Sequence, residues 1–133
     1  YGNSEAEALF QQGFIYYDQD QYAEAIPILE KTIALEPENA EYHHVLAKSY
    51  GKEASNSGWF KAINLAKKTI KHLEIARQFD PENLVILDDL MEFYREAPGF
   101  LGGSEKKADE IEQLIKKLSH KQQAKAEAPD KIE

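Results

Sequence analysis

The chain has 133 residues, of which 42% are hydrophobic, and its formal net charge at pH 7 is −8. This length supports one domain with its own core. The negative charge argues against binding to nucleic acid or to an anionic membrane, because both need clustered Lys and Arg, although a local basic patch remains compatible with the total. The chain has no cysteine, which excludes disulfides, thiolate metal sites and a cysteine nucleophile.

Two further features concern the context of the chain. It has no stretch of about 18 apolar residues, so the sequence predicts no membrane insertion. It begins at Tyr1 rather than at Met, and we therefore expect a fragment or a processed form.

Helical periodicity begins near the N-terminus. Residues 6–19 place apolar side chains at helical spacing on two adjoining faces, which predicts a first helix. Residues 22–35 predict a second helix, with Asp20 as its N-cap. We expect a mild bend at Pro27, where one backbone hydrogen bond is lost. Pro37 disfavours a helical conformation at the residue before it and so ends this helix.

The ending of the second helix returns later in the chain. Glu-Pro-Glu-Asn at residues 36–39 has a counterpart in Asp-Pro-Glu-Asn at residues 80–83. Tyr16 and Tyr50 are 34 residues apart, which is the period of a helix-turn-helix repeat. Tyr50 and Tyr94 are 44 residues apart, so the second unit contains an insertion of ten residues.

The insertion predicts a longer second helix in this unit. Small polar turn-forming residues at 55–58 precede a helical pattern of about twenty residues, about two turns more than the unit requires. Trp59, Phe60 and Ile63 fall on the added turns, and we expect them to pack against apolar partners.

The third unit joins its helices through Ala-Pro-Gly-Phe-Leu-Gly-Gly at residues 97–103, before Ser104 caps the last helix. Residues 106–118 carry one apolar face, which is then lost. We therefore expect a solvated trailing helix over residues 119–128 and a disordered tail over residues 129–133.

The first unit, residues 6–39, resembles a tetratricopeptide repeat, and the resemblance extends more weakly to about residue 118. The unit departs from the family pattern at Gln12, where Leu is usual, and at Thr32, where Ala is usual. The third unit lacks the closing proline. The agreement of the first unit is carried by Leu9, Gly13, Tyr16, Tyr22, Ala25, Leu29 and Pro37.

The resemblance implies an all-α fold, an α-solenoid of about three helix-turn-helix repeats that forms a short right-handed superhelix. The repeats would cover residues 6–39, 40–83 and 84–118 of a single domain over residues 1–128. The lengthened helix and the glycine-rich connection also resemble a group of bacterial repeat proteins that are expected to be exported or periplasmic. The resemblance therefore favours such a location, with the cytoplasm as the alternative.

The resemblance also implies a non-catalytic scaffold that binds a protein or peptide in a concave groove lined by the first helix of each pair. This groove would be aromatic at one end, basic in the middle and acidic at the other end. Alternatively, the aromatic residues pack on the N-terminal residues, on the tail or on a second copy, and the protein is a self-assembling adaptor and homo-oligomer. The candidate groove residues are Phe10, Phe14 and Tyr17 in the first unit, His44, Lys48 and Lys52 in the second, and Asp88, Glu92 and Arg95 in the third.

One ligand class of the family is excluded by the residues at the matching positions. Some members hold the terminal carboxylate of chaperone tails with a clamp of Lys, Asn and Arg. Here those positions offer no cluster of hydrogen-bond donors for a carboxylate. They are occupied by Phe10, Phe14, Val45 and Asp89.

A phosphate loop, a metal site and an active site are also not predicted. The glycines of residues 99–103 are followed by Ser104 and Glu105, and not by the Gly-Lys-Ser/Thr of a phosphate loop. The His pair at residues 43–44 and the Asp pair at residues 88–89 consist of helical neighbours, which point about 100° apart. No nucleophile has a base and an orienting group at a suitable spacing, so we expect no catalysis, no metal and no cofactor.

Overall fold

The computed structural model describes residues 3–127, which form six α-helices and one short 3-10 helix. This part of the chain contains no strand, so the predicted all-α fold is confirmed. None of its helices is both long and apolar enough to cross a membrane. In chain order the helices are α1 (Ser4–Asp18), α2 (Tyr22–Leu35), α3 (Ala40–Ser55), α4 (Trp59–Phe79), α5 (Leu84–Glu96) and α6 (Glu105–Glu127), with the 3-10 helix at Gly99–Leu101 between the last two.

The helices pack as three consecutive pairs, α1 with α2, α3 with α4 and α5 with α6, and the second helix of each of the first two pairs also contacts the first helix of the next. Their apolar faces form two buried clusters. One cluster joins the first pair to α3 around Phe10, Leu29 and Leu46, and the other joins α4, α5 and α6 around Leu73 and Leu90. Stacking of each helix pair against the next is the architecture of a helical solenoid.

The two Pro-Glu-Asn endings each close one helix and start the next. The side chain of Asn39 accepts a hydrogen bond from the backbone N–H of Tyr42, at the first turn of α3. The side chain of Asn83 accepts from the backbone N–H groups of Val85 and Ile86 in the same way for α5. Both asparagines therefore satisfy amides that the first turn of a helix leaves without an internal partner.

The prediction of Asp20 as the N-cap of α2 is wrong. Asp20 adopts a left-handed conformation with φ of 61°, and its carboxylate accepts from the Tyr22 hydroxyl at 2.7 Å rather than from backbone amides. Aspartate tolerates this conformation because its short polar side chain can form local hydrogen bonds. The residue at the N-cap is Gln21, whose side chain forms no capping bond, and α2 continues through Pro27.

The predicted lengthening of α4 is confirmed, but the predicted packing of its added turns is wrong for two residues. α4 has 21 residues and α2 has 14. Trp59 is 67% exposed and Phe60 is 85% exposed, whereas Ile63 is half-buried. The first fully buried residue of α4 is Leu65, so the added turns contribute little to the core.

The connection between α5 and α6 requires glycine at two positions. Gly102 has φ of 102°, and a Cβ atom at Gly103 would lie 1.7 Å from the carbonyl oxygen of Ala97. As predicted, Ser104 caps α6, since its hydroxyl accepts from the backbone N–H of Lys107. The tight turn therefore ends directly before the first turn of α6.

The last helix continues without a break past residue 118, so the solvated helical continuation expected from residue 119 is present over residues 119–127. α6 is continuous to Glu127, and its buried residues are Ala108, Ile111 and Leu118. Residues 120–127 are exposed, as the loss of apolar positions predicts. The last residue of the expected trailing helix and the tail at 129–133 lie outside the described residues.

Tyrosines at the repeat interval make the same contact in the second and third pairs. The hydroxyl of Tyr50 donates to the carboxylate of Glu30 at 2.5 Å, and that of Tyr94 donates to Glu74. Each bond reaches back 20 residues to the second helix of the preceding pair. Tyr16 holds the corresponding place in α1, but its hydroxyl has no hydrogen-bond partner within residues 3–127. The tyrosine–glutamate bond is therefore a contact between consecutive pairs.

We predict that Tyr50→Phe and Tyr94→Phe each lower the free energy of unfolding by about 1–2 kcal/mol, because each removes a half-buried hydrogen bond to a charged acceptor. Urea unfolding measures the change. Tyr16→Phe is the matched control, and we expect it to cost less than about 0.5 kcal/mol. A cost for Tyr16→Phe equal to that of the other two would contradict this role for the bond.

Candidate functional site

A groove of about 630 Å³ lies between α3 and α5. Its volume is in the range of about 300–1,000 Å³ that is usual for binding sites in proteins. The first helices of all three pairs contribute to it, and α4 supplies part of its floor. The lining residues are Tyr17 of α1, Ala47, Lys48, Gly51, Lys52 and Ser55 of α3, Thr69 and Leu73 of α4, and Asp89, Glu92, Phe93 and Glu96 of α5.

The floor of the groove is formed by small and largely apolar residues. Ala47 is fully buried and Leu73 is 3% exposed. The hydroxyl of Thr69 donates to the carbonyl oxygen of Leu65, so it is already engaged within α4. Gly51 lies next to Thr69, and the absence of a side chain there keeps the groove open.

The two long walls of the groove carry opposite charges. Lys48 and Lys52 are one helical turn apart on α3, and Glu92 and Glu96 are one turn apart on α5. None of these four residues forms a salt bridge with any residue in the range 3–127. The lysine and glutamate side chains therefore face a shared space without neutralising each other.

The side chain of Lys48 also contacts the aromatic end of the groove. Its Nζ lies 5.4 Å from the centre of the Tyr17 ring, a distance at which a cation is attracted to the π face. Tyr17 continues into a row of aromatic rings on α1 and α2, with ring-centre distances of 5.9 Å to Phe14 and 5.7 Å to Tyr22.

A hydrogen bond between His44 and Asp89 joins α3 to α5 beside the groove. The His44 Nε2 and Asp89 Oδ2 atoms are 2.6 Å apart, and His44 is 9% exposed. The ring nitrogen is the donor, because an ionised carboxylate only accepts. This bond sets the relative position of the two walls at the level of one turn before Lys48.

The structure brings four of the nine predicted residues together in this groove, namely Tyr17, Lys48, Lys52 and Glu92. His44 lies beside the groove, where it forms a hydrogen bond with Asp89. Sequence reasoning did not include Glu96 among the candidates. The sequence spacing does predict its position, because Glu96 follows Glu92 by four residues and so lies on the same face of α5.

The other predicted residues lie elsewhere. Phe10 is 5% exposed and packs against Tyr42 with ring centres 4.6 Å apart, so it belongs to the core. Phe14 is 37% exposed on α1, and Asp88 is exposed on α5, but neither lines the groove. Arg95 faces α6.

The guanidinium of Arg95 fixes α5 to α6. It donates to Glu105 at 2.8 Å, to Asp109 at 3.1 Å and to Glu112 at 2.9 Å. Sequence reasoning placed Arg95 in the groove from its position in α5 alone. The three carboxylates that draw it away come from the following helix.

Residues 6–39, which contain most of α1 and all of α2, match the family model of the tetratricopeptide repeat. The same unit contains the Tyr and Pro residues from which the repeat period of the sequence is counted. Residues 6–39 are a tetratricopeptide repeat.

Two solved structures share the fold of this chain. One is MamA 41-end from Desulfovibrio magneticus RS-1, with a TM-score of 0.70 and 22% identity over 87% of this chain. The chain spans 57% of the length of that structure. The other is the Sgt2 TPR domain from Aspergillus fumigatus, with a TM-score of 0.56 and 19% identity, which covers 98% of this chain and 90% of that domain.

In the second helix pair, His43 and His72 form a half-buried pair between α3 and α4. The Nε2 atom of His43 lies 2.6 Å from the carbonyl oxygen of Pro37, and its Nδ1 lies 2.9 Å from Nδ1 of His72. Because a carbonyl only accepts, His43 carries its proton on Nε2 and accepts at Nδ1 from His72. His43 and His44 thus point to different partners.

Both histidines of the pair are held neutral. Burial lowers the pKa of His43 below its usual value. Burial also lowers the pKa of His72 to about 4, and the nearby His43, Lys71 and Lys68 add to this effect. At these two histidines the unfolded chain therefore binds more protons than the folded chain when the pH falls below about 6.5.

We predict that the free energy of unfolding falls as the pH is lowered from about 6.5 towards 4, with about 1 kcal/mol lost through His72 by pH 5, since a half-buried group is partly screened. His72→Gln keeps an N–H donor for His43 but does not titrate, so the loss should be smaller in this variant. Urea unfolding at a series of pH values measures it. His120→Gln, at an exposed position of α6, is the control, and an unchanged pH dependence in His72→Gln would contradict the prediction.

Proposed function

We propose that this protein binds a segment of another protein in the groove between α3 and α5 and acts as a scaffold without chemistry of its own. The observation that carries the proposal is the pair of oppositely charged walls over an apolar floor. Charges that face a shared space and remain unpaired favour a ligand that supplies their counter-charges. Protein or peptide binding is also the role that tetratricopeptide repeats generally have.

The spacing of the wall charges suits an extended segment. Lys48 and Lys52 are separated by about 6 Å along α3, at about 1.5 Å per residue. Side chains on one side of an extended chain recur every second residue, at about 6.8 Å. Alternate residues of such a segment point to opposite sides, so one set faces α3 and the other set faces α5.

This geometry favours a ligand with a matching charge pattern. Acidic side chains would pair with Lys48 and Lys52, and basic side chains would pair with Glu92 and Glu96. We therefore infer a ligand in which acidic and basic residues alternate, with an apolar or aromatic residue against Tyr17. Each solvent-exposed ion pair contributes at most about 1 kcal/mol, so the expected dissociation constant is on the order of micromolar or weaker.

We predict that a fluorescently labelled octapeptide of alternating Glu and Lys, preceded by one Leu, binds at least about tenfold more tightly than its block isomer with all Glu before all Lys, because only alternation matches both walls. Lys48→Glu combined with Lys52→Glu should weaken the alternating peptide about tenfold or more. Fluorescence anisotropy measures both differences.

The matched control is Lys106→Glu with Lys117→Glu on α6, which changes the net charge equally at exposed positions outside the groove. We expect less than about a twofold effect from it. A second test reverses the charge at Lys48, Lys52, Glu92 and Glu96 in one protein. This variant should bind the alternating peptide again, because an alternating peptide can turn its acidic side chains towards α5 and its basic side chains towards α3. Equal affinity of the Lys48→Glu, Lys52→Glu protein and the control would contradict the groove as the binding site.

A further inference from the structure

The outer face of α4 carries an exposed aromatic end followed by lysines. Phe60, Asn64, Lys67 and Lys71 recur every three or four residues, so they form one stripe along the helix, and all four are exposed. Trp59 adjoins the aromatic end. These two aromatic residues are the most exposed large apolar side chains of the described part of the chain.

This stripe is basic in an acidic protein. α4 contains five Lys or Arg residues and one acidic residue, Glu74, which accepts from Tyr94. Residues 1–39, by contrast, contain eight acidic residues and one lysine. Charge is thus divided along the chain, with an acidic first repeat and a basic α4 in the second.

The outer face of α1 is complementary to that of α4. Glu7, Gln11, Ile15 and Asp18 also recur every three or four residues, and all four are exposed. Ile15 is 56% exposed. Within residues 3–127 no helix precedes α1, so the stripe has no repeat to pack against.

We propose that the outer face of α4 binds the outer face of α1 of a second copy of this chain. The two stripes each extend over eleven residue steps, about 16.5 Å at 1.5 Å per residue. In an antiparallel arrangement Lys71 lies opposite Glu7, and Phe60 lies at the level of Asp18, within about one helical turn of Ile15. Glu7 therefore pairs with the basic end of the α4 stripe, while the Phe60 ring can cover Ile15 at the other end.

Charge favours this occupant over an anionic lipid surface. The protein outside α4 is strongly acidic, so an anionic bilayer would repel most of the molecule. The first repeat is an acidic surface with an exposed apolar residue, which matches the stripe in both respects. Because the two faces differ, each copy can bind one neighbour through α1 and another through α4, which gives open chains of molecules.

The contact is separate from the groove. Phe60, Lys67 and Lys71 do not line the groove between α3 and α5. A molecule in such a chain could therefore hold a ligand in its groove at the same time. A contact between two helices over about three turns buries less than the roughly 1,200 Å² of a stable interface, so the association is weak and depends on concentration.

Sedimentation equilibrium from about 10 µM to about 1 mM tests the proposal, since weak interfaces dissociate in this range. The weight-average mass should rise above that of the monomer with increasing concentration, and it should rise less at about 0.5 M salt, where charges are screened. Lys67→Glu with Lys71→Glu, and separately Phe60→Ser, should each weaken the association about tenfold or more. The control pair Lys106→Glu and Lys117→Glu should leave it unchanged.

A charge exchange tests the assignment of the two faces. A protein with Glu7→Lys and Asp18→Lys and a protein with Lys67→Glu and Lys71→Glu should each associate weakly alone, whereas their mixture should form heterodimers, because only the mixture keeps an unaltered α1 face and an unaltered α4 face. The folded state of each variant is checked by circular dichroism. A monomer at every concentration, or equal losses in the patch and control variants, would overturn the proposal. Binding of a monomer to phosphatidylglycerol vesicles through Trp59 and Phe60 would also overturn it.

Discussion

Each pair of helices is fixed to the next by a tyrosine hydroxyl that reaches back to a glutamate carboxylate. Tyr50 binds Glu30, and Tyr94 binds Glu74, each across the boundary between two repeats. Burial raises the pKa of both tyrosines, and the carboxylates reinforce this, so the hydroxyls remain donors at neutral pH. The same boundaries contain the apolar contacts of α2 with α3 and of α4 with α5. These contacts fix the relative positions of α3 and α5.

The groove is a consequence of that alignment. Corresponding turns of α3 and α5 lie at the same level, where the His44–Asp89 bond joins them directly and the lysine and glutamate walls follow one turn later. Small residues at Ala47 and Gly51 leave space between the walls. Within residues 3–127 the lysine and glutamate walls form no salt bridge with each other, because the groove separates them, whereas the guanidinium of Arg95 is paired with three carboxylates of α6. Within α5, the helical face on which a charged residue lies thus decides whether it lines the groove or joins α5 to α6.

The sequence predicted the repeat well because the residues that define it are the ones that pack it. Tyr and Pro spacing indicated the period and the insertion, and Pro-Glu-Asn indicated the helix boundaries. Helical phase alone cannot tell which of two adjoining apolar faces of α1 is buried, so Phe10 was assigned to the groove although it packs on Tyr42. Arg95 was misplaced because its partners belong to a helix 10 to 17 residues later. The helical pattern that begins with Trp59 and Phe60 continues into residues that are buried. The pattern alone therefore does not show where burial begins, and the exposure of these two side chains depends on tertiary packing.

The central claim is that ligand binding takes place between α3 and α5. Amide NMR spectra of the protein during titration with the alternating Glu-Lys peptide test it most directly, because each backbone amide reports its own surroundings. We predict that the shift changes concentrate at Lys48, Gly51 and Lys52 on α3 and at Glu92 and Glu96 on α5. Shift changes restricted to α6, or to the outer face of α4 around Phe60 and Lys67, would contradict the account.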